Sequence, residues 1–295
     1  YRKGGPNVKA TFLHELGSAF TGLTAYLFIA FLLLFGGIYT LAYSLNMRLA
    51  NFAYVLQSLS FLYLILVPLA TMRAFAEERH QKTDQLLYAL PLSMTQVMLG
   101  KYLALLTLLA LPTAVLCLYP VLLSGSGTVP MAASYTAIFG FFCLGAALLA
   151  IGLFLSCLTK SPVAAAGLCF LVMLCLYFLE SLASLLPGSA AASVAALCLC
   201  ALLLGLGVWG LSKNGVLCGV VTMLALAAVL LGYALVPTAF EGLFSRWVQQ
   251  LSLFSRFYVS VTGVLDLTAV VYDATVAAFF LVLTVQVLEK RRWSE

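Results

Sequence analysis

Residues 102–159 read YLALLTLLALPTAVLCLYPVLLSGSGTVPMAASYTAIFGFFCLGAALLAIGLFLSCLT, and no Asp, Glu, Lys or Arg occurs among them. That run is far longer than the roughly 20 apolar residues a helix needs to cross a bilayer. Near its middle, Ser124-Gly-Ser-Gly-Thr-Val-Pro130 gathers residues that break helices and form turns. The stretch therefore reads as two membrane helices joined by a short polar loop, near 99–123 and 132–157.

The same reading extends outward. Residues 16–47 and 49–72 are uncharged, as are 161–179, 181–212, 214–240 and 274–288. Further spans fall near 20–44, 52–72, 163–186, 190–211, 215–236 and 267–288. The fold class expected is all-α, a polytopic transmembrane helical bundle of about eight spans forming one transmembrane domain over 1–295. The pair 190–211 and 215–236 is joined only by Leu211-Ser-Lys-Asn-Gly215. Read as one re-entrant unit, it would lower the count to six and leave the parity unchanged.

Composition agrees. Charged residues are 8% of the chain and hydrophobic residues 64%, with a mean hydropathy of +1.11. A soluble domain carries roughly 25% charged residues because its surface faces water, so lipid is the main solvent here. The formal net charge of +5 sits on residues between apolar spans, which makes it a topology signal and not a nucleic-acid surface. All eight cysteines lie inside apolar runs without a CxxC pair, so they read as small packing residues. Tyr1 to Gly17 is mixed polar sequence, and the apolar stretch after it is too long for a signal-peptide core. No cleavable signal peptide is expected there.

Orientation follows from Lys and Arg. With the N-terminus inside, twelve of the fifteen fall in cytoplasmic segments, and only Arg48, Arg246 and Arg256 fall outside. Both termini are expected in the cytoplasm.

Three segments do not read as spans. Residues 7–18 set Phe12, Leu13 and Leu16 on one helical face, as in an interfacial helix. Residues 241–265 carry Leu243, Trp247, Leu251, Phe254 and Tyr258 at helical spacing, on what should be the outer surface. Residues 73–97 form the only sizeable cytoplasmic loop, and six of the chain's twenty-five charged residues lie between Arg73 and Asp84. There Leu86, Leu87 and Leu90 make an apolar edge on a short helix that Pro91 would end. Such a helix is suited to a partner's groove; the plainer reading is a solvated basic loop.

The loop, with Glu77, Thr83, Leu86-Leu87, Pro91 and Ser93 followed by Gly100-Lys101-Tyr102, resembles ABC transporter permeases of the type-2 exporter class. It is closest to the gliding-motility-type permeases. Phe12-Leu-His-Glu15-Leu, with Ala25-Tyr26, resembles that family's elbow helix, here 1–18. Leu251 to Phe257, Gly263 to Leu267, Val271-Tyr272 and Val285 to Trp293 resemble its last outer loop and last helix. These matches cover about a third of the chain, in the family's order. Many relatives have Gly where this chain has Lys82, and short members have six spans, so 190–236 looks like an insertion.

The resemblance implies a bacterial plasma-membrane permease that exports a substrate using ATP hydrolysed by a separate ABC ATPase subunit. It implies that Glu77, Glu78, Arg79, Thr83, Asp84, Leu86, Leu87 and Pro91 form the ATPase-coupling surface. It further implies a homodimer, or a heterodimer with a paralogous permease, and in some relatives an extracytoplasmic subunit for which 241–265 could be the platform. The chain has no GxxxxGK[ST] loop, so no bound cofactor is expected; ATP-Mg belongs to the partner.

Ionisable residues in spans are functional candidates. Asp266 and Asp273 are seven residues apart and share a helix face, and Glu180 lies about two turns before the end of its span. Each also reads as an outer-face polar group, Asp273 beside Arg256 or Arg246. His14 and His80 read as surface residues, and Pro68 and Pro112 as kinks. No metal site is expected. A membrane-embedded lipid-modifying enzyme would need clustered His, Asp, Glu or Ser at one depth, which the spans do not offer. An ion-coupled secondary transporter would need several midplane acids, and only Asp273 and Glu180 qualify.

Overall fold

The computed structural model describes residues 8–46, 51–81, 93–125, 129–185 and 248–292, with isolated positions between 193 and 233. Regular structure among the described residues is entirely helical. In order they are α1 (Val8–Thr21), α2 (Leu23–Thr40, continued by a π-helical turn, Leu41–Asn46), α3 (Phe52–Leu59), α4 (Tyr63–Thr71) and α5 (Ala76–His80). There follow α6 (Met94–Leu116), α7 (Tyr119–Ser124), α8 (Met131–Leu158), α9 (Pro162–Leu185), α10 (Leu253–Val261) and α11 (Leu267–Arg292).

Among the described residues, six stretches are long and apolar enough to cross a membrane: Leu23–Tyr43, Phe52–His80, Met94–Ser124, Met131–Leu158, Pro162–Leu179 and Leu267–Arg292. They fall on the six expected spans outside 190–236. The pair 190–211 and 215–236 lies, apart from isolated positions, outside the described residues.

The third span begins earlier than its uncharged run. Ser93 accepts from the backbone N–H of Gln96 through Oγ, and the Gln96 side chain accepts from the Ser93 N–H. This reciprocal cap satisfies two donors of the first turn, so the helix starts at Met94 and takes in residues assigned to the loop. Around 252 the expected amphipathic helix is interrupted. Ser252 Oγ accepts from Ser255 N at 3.2 Å and starts α10 afresh. From there the buried apolar residues are Leu253, Phe254, Phe257 and Val261, with Leu251 exposed, while Leu243 and Trp247 lie outside the described residues.

The chain divides into two compact units, residues 1–177 with 256–295, and residues 178–255. In the first, α8 is the central helix, packed against α3, α4, α6 and α11. Span two reaches it through Tyr63. The phenol donates to the carbonyl oxygen of Phe141 at 2.9 Å, and its ring stacks on Phe141 with centroids 4.5 Å apart. Gly145 makes room for this, since a Cβ there would lie 2.6 Å from the Tyr63 hydroxyl. In the second unit, the Ser255 hydroxyl donates to the Gln249 carbonyl oxygen at 3.2 Å and so closes the turn around Ser252.

The first span buries one edge, Ala25, Phe28, Leu32 and Gly36, at helical spacing. Leu23, Phe31, Leu34 and Ile38 face outward. A helix apolar on every side has no water-facing surface; in a bilayer those side chains meet lipid.

Candidate functional site

The charged cluster gathers at one end of the bundle, called here the basic end. Its order begins with the packing stripe of α6. Met94, Val97, Met98, Leu105 and Leu108 recur at helical spacing and are buried. Lys101 stands in the same register, seven residues after Met94 and four before Leu105. Its side chain is only 1% exposed.

A buried ammonium needs partners, and Lys101 has them from two other elements. Nζ donates to Glu15 Oε1 of α1 at 2.9 Å and to Glu78 Oε1 of α5 at 2.6 Å. The ring of Phe75 lies 5.3 Å from the ammonium, close enough for a cation–π contact. Next to Lys101, Gly100 allows α1 to lie directly on α6. A Cβ there would come within 2.9 Å of the Thr11 side chain and 3.2 Å of the Phe12 backbone nitrogen.

A second set of contacts fixes α5 to span four. Ser156 Oγ, buried at the end of α8, accepts from the backbone N–H groups of Phe75 and Ala76, each at 3.3 Å. These N–H groups open α5 and have no partner inside so short a helix; Ser156 caps them from a neighbouring span. At the far side of α5, Arg79 Nη1 donates to the carbonyl oxygens of Thr159 at 3.0 Å and Cys157 at 3.4 Å. Arg291, near the end of α11, donates to the same Cys157 carbonyl at 2.6 Å. Both guanidinium groups thus sit on the unpaired carbonyls at the C-terminus of α8, where the helix dipole favours cations.

Glu77 is placed differently. Its carboxylate is 3.4 Å from Arg73 Nε and accepts from Gln81 Nε2 at 3.3 Å, a row along the exposed side of the segment. Between this row, α1 and α6 lies a cavity of about 380 Å³. Glu15, Arg73, Glu77 and Lys101 line its polar part, and Leu105 and Leu108 line its apolar floor.

Of the sequence candidates for coupling, Glu77, Glu78 and Arg79 are therefore brought together on one short helix. Glu78 and Arg79 bond inward, while Glu77 bonds along the exposed row. Thr83, Asp84, Leu86, Leu87 and Pro91 lie outside the described residues. At the opposite end, Asp266 caps α11. Its Oδ1 accepts from the Thr268 hydroxyl and from the Thr268 backbone N–H, the latter at 2.9 Å. These hydrogen bonds, the hydroxyl's first, hold the carboxyl below the usual carboxylate range. Asp273 lies further along α11 and is buried, with no hydrogen-bond partner for Oδ1 among the described residues. Glu180 lies within α9.

Lys101 and Glu15 are functional candidates that sequence reasoning missed. Lys101 enters there as a cation obeying the charge bias and as part of the Gly100-Lys101-Tyr102 resemblance, without a role, and its partners are 86 and 23 residues away. Its place on the apolar stripe of α6 is the signal that could have found it.

The family model for ABC-2 family transporter proteins matches residues 40–191, just over half of the chain. No curated protein and no solved structure matches. The chain belongs to the ABC-2 transporter family. It is a multi-pass membrane protein, a permease subunit of an ABC transporter, and membership implies partnership with an ABC ATPase subunit.

Proposed function

We propose that this chain is the permease of an ATP-driven exporter of the gliding-motility type, in a bacterial plasma membrane with both termini in the cytoplasm. The basic end is then the cytoplasmic end. An ABC ATPase subunit bears on the segment 73–97, and its closure on ATP-Mg drives the change of access. Two permeases, identical or paralogous, make the pore, and 241–265 is the platform for any extracytoplasmic partner.

The anchoring of α5 carries this reading. One five-residue helix is joined to span three through Glu78 and Lys101, and to span four through Ser156 and Arg79. Arg291 brings the end of span six to the same Cys157 carbonyl. A push on α5 would be delivered to three spans together, and rigid helices pass such a displacement across a membrane. Of the two acids of α5, Glu78 bonds inward, and Glu77, on the exposed row, is the one placed to meet the ATPase.

The test is co-purification of the tagged chain with an ABC ATPase, followed by Glu77→Lys in that complex. Exposed ion pairs contribute little to stability, so the variant should insert and melt normally. Its ATPase activity should no longer respond to the permease. Unchanged stimulation, or absence of any ATPase from the purified material, would remove the reading.

A further inference from the structure

We infer that Lys101 is a positioning residue that makes the elbow helix α1 part of the coupling device, by holding Glu15 and Glu78 on a single buried ammonium. The inference rests on the proposed function and goes beyond it, since α1 belongs neither to the loop nor to any span.

The geometry has two independent parts. In the first, one Nζ bonds carboxylates from α1 and from α5 at 2.9 and 2.6 Å, with the side chain almost wholly shielded from solvent. An ammonium has three donors and no other way to satisfy them where water is excluded. If α5 moved without α1, Lys101 would have to lose a partner in a buried site. Moving both carboxylates with the ammonium keeps every bond. In the second, Gly100 lets the α1 backbone lie directly against α6 beside Thr11 and Phe12. Close packing at that point transmits displacement instead of absorbing it. The α1 helix, α5 and the start of span three therefore move as one body.

The charges also predict which partner matters most. Two carboxylates share one cation, so removing Glu15 leaves a neutral Lys101–Glu78 pair. Removing Lys101 takes away the one cation that both carboxylates share. Loss of Glu15 should loosen α1 alone. Loss of Lys101 should loosen α1 and also disturb α5.

Hydrogen–deuterium exchange of the full permease–ATPase complex, without nucleotide and with ATP-Mg, reads this directly. In the wild type, nucleotide should change exchange both over residues 76–80 and over 8–21. In Glu15→Leu the change over 76–80 should persist and the change over 8–21 should be reduced, since only the packing at Gly100 then links α1 to α6. In Lys101→Met both should be altered, and Lys101→Arg, which can still hold two carboxylates, should restore the response of α1. Should Glu15→Leu fail to fold, Glu15→Gln keeps the shape and one acceptor while removing the charge, and its α1 response should be reduced. A merely structural role would change stability in these variants but not the nucleotide response of one helix relative to the other. An α1 response in Glu15→Leu equal to wild type would overturn the inference, as would a wild type in which 76–80 responds and 8–21 does not. A wild type in which 76–80 itself is indifferent to nucleotide would instead overturn the proposed function.

Discussion

Arg79 donates through Nη1 to the carbonyl oxygen of Thr159 at 3.0 Å, just past the last residue of α8. A residue that sequence reading assigns to a partner's surface thus closes the end of a helix in its own chain. Arg291 approaches the adjacent Cys157 carbonyl from α11, so two segments far apart in sequence are held by one helix terminus. The charged loop and the bundle are one mechanical unit at this point.

Arg79→Ala should free the far side of α5 while leaving Arg291 on Cys157. A partly exposed, charge-assisted hydrogen bond of this kind is worth about 1 kcal/mol, and the cost should be local. Amides of residues 76–80 should exchange faster with little change in melting temperature. Arg79→Lys should recover only part of the protection, because an ammonium lacks the planar fork that meets two carbonyls. Equal exchange in wild type and Arg79→Ala would show that Ser156 and the Glu78–Lys101 pair hold α5 without it.

The trio at Lys101 predicts an unequal stability series. Losing the buried cation that two carboxylates share costs more than losing one of the carboxylates, so Lys101→Met should be the most destabilised variant. Glu15→Gln leaves Lys101 with Glu78 and should lose about 1 kcal/mol. Thermal unfolding in one detergent, with all variants side by side, gives the order. A Lys101→Met protein as stable as Glu15→Gln would contradict the buried charge balance.

Much of the fold is legible in the sequence because charge is so scarce. Residues 132–157 are expected as a span and Met131–Leu158 is observed; for the last span the ranges are 267–288 and Leu267–Arg292. Apolar length alone decides such boundaries. The site was less legible, for two physical reasons. A rule that counts Lys and Arg by side of the membrane treats every cation as solvated, and Lys101 is not. Nor does local sequence reveal that Ser156, eighty residues away, supplies the cap that lets Ala76–His80 be a helix at all.

Tyr63 and Gly145 should be energetically coupled. Tyr63→Phe removes the hydrogen bond to the Phe141 carbonyl and should cost about 1 kcal/mol. Gly145→Ala brings a Cβ to 2.6 Å from the Tyr63 hydroxyl and 2.7 Å from a Leu109 methyl. Such overpacking should cost about 1 to 3 kcal/mol. In the double variant the hydroxyl is gone, and only the Leu109 methyl and the ring carbon Cζ, at 2.9 Å, must yield. The combined loss should then fall short of the sum of the single losses. Strict additivity would mean that the hydroxyl does not set the spacing of spans two and four.

Asp266 gives a pH dependence of defined sign. Its folded-state carboxyl is held below the ordinary range by the Thr268 hydroxyl and N–H. The cap therefore contributes fully above the unfolded carboxyl's range and is lost as pH falls through the lower folded value. Acidification into that window should speed amide exchange in the first turn of α11. Asp266→Asn keeps the side-chain acceptor and should flatten the dependence. If the turn frays equally in both proteins as pH falls, another group controls it.

Asp273 offers the sharpest separation of stability from activity. Its Oδ1 is buried without a hydrogen-bond partner among the described residues, whereas Arg256, the nearby cation, stacks on the adjacent Tyr272 ring at 4.0 Å. A buried acceptor left unpaired weakens a fold, so nothing in packing alone accounts for a carboxylate at this position. Asp273→Asn has the same shape and removes the charge, and it should melt no lower than wild type. If the carboxylate takes part in transport, the same variant loses ATP-driven transport while its melting temperature holds or rises, the trade-off expected where a destabilising group serves function. A lower melting temperature in Asp273→Asn would show instead that the carboxylate is held by interactions that support the fold.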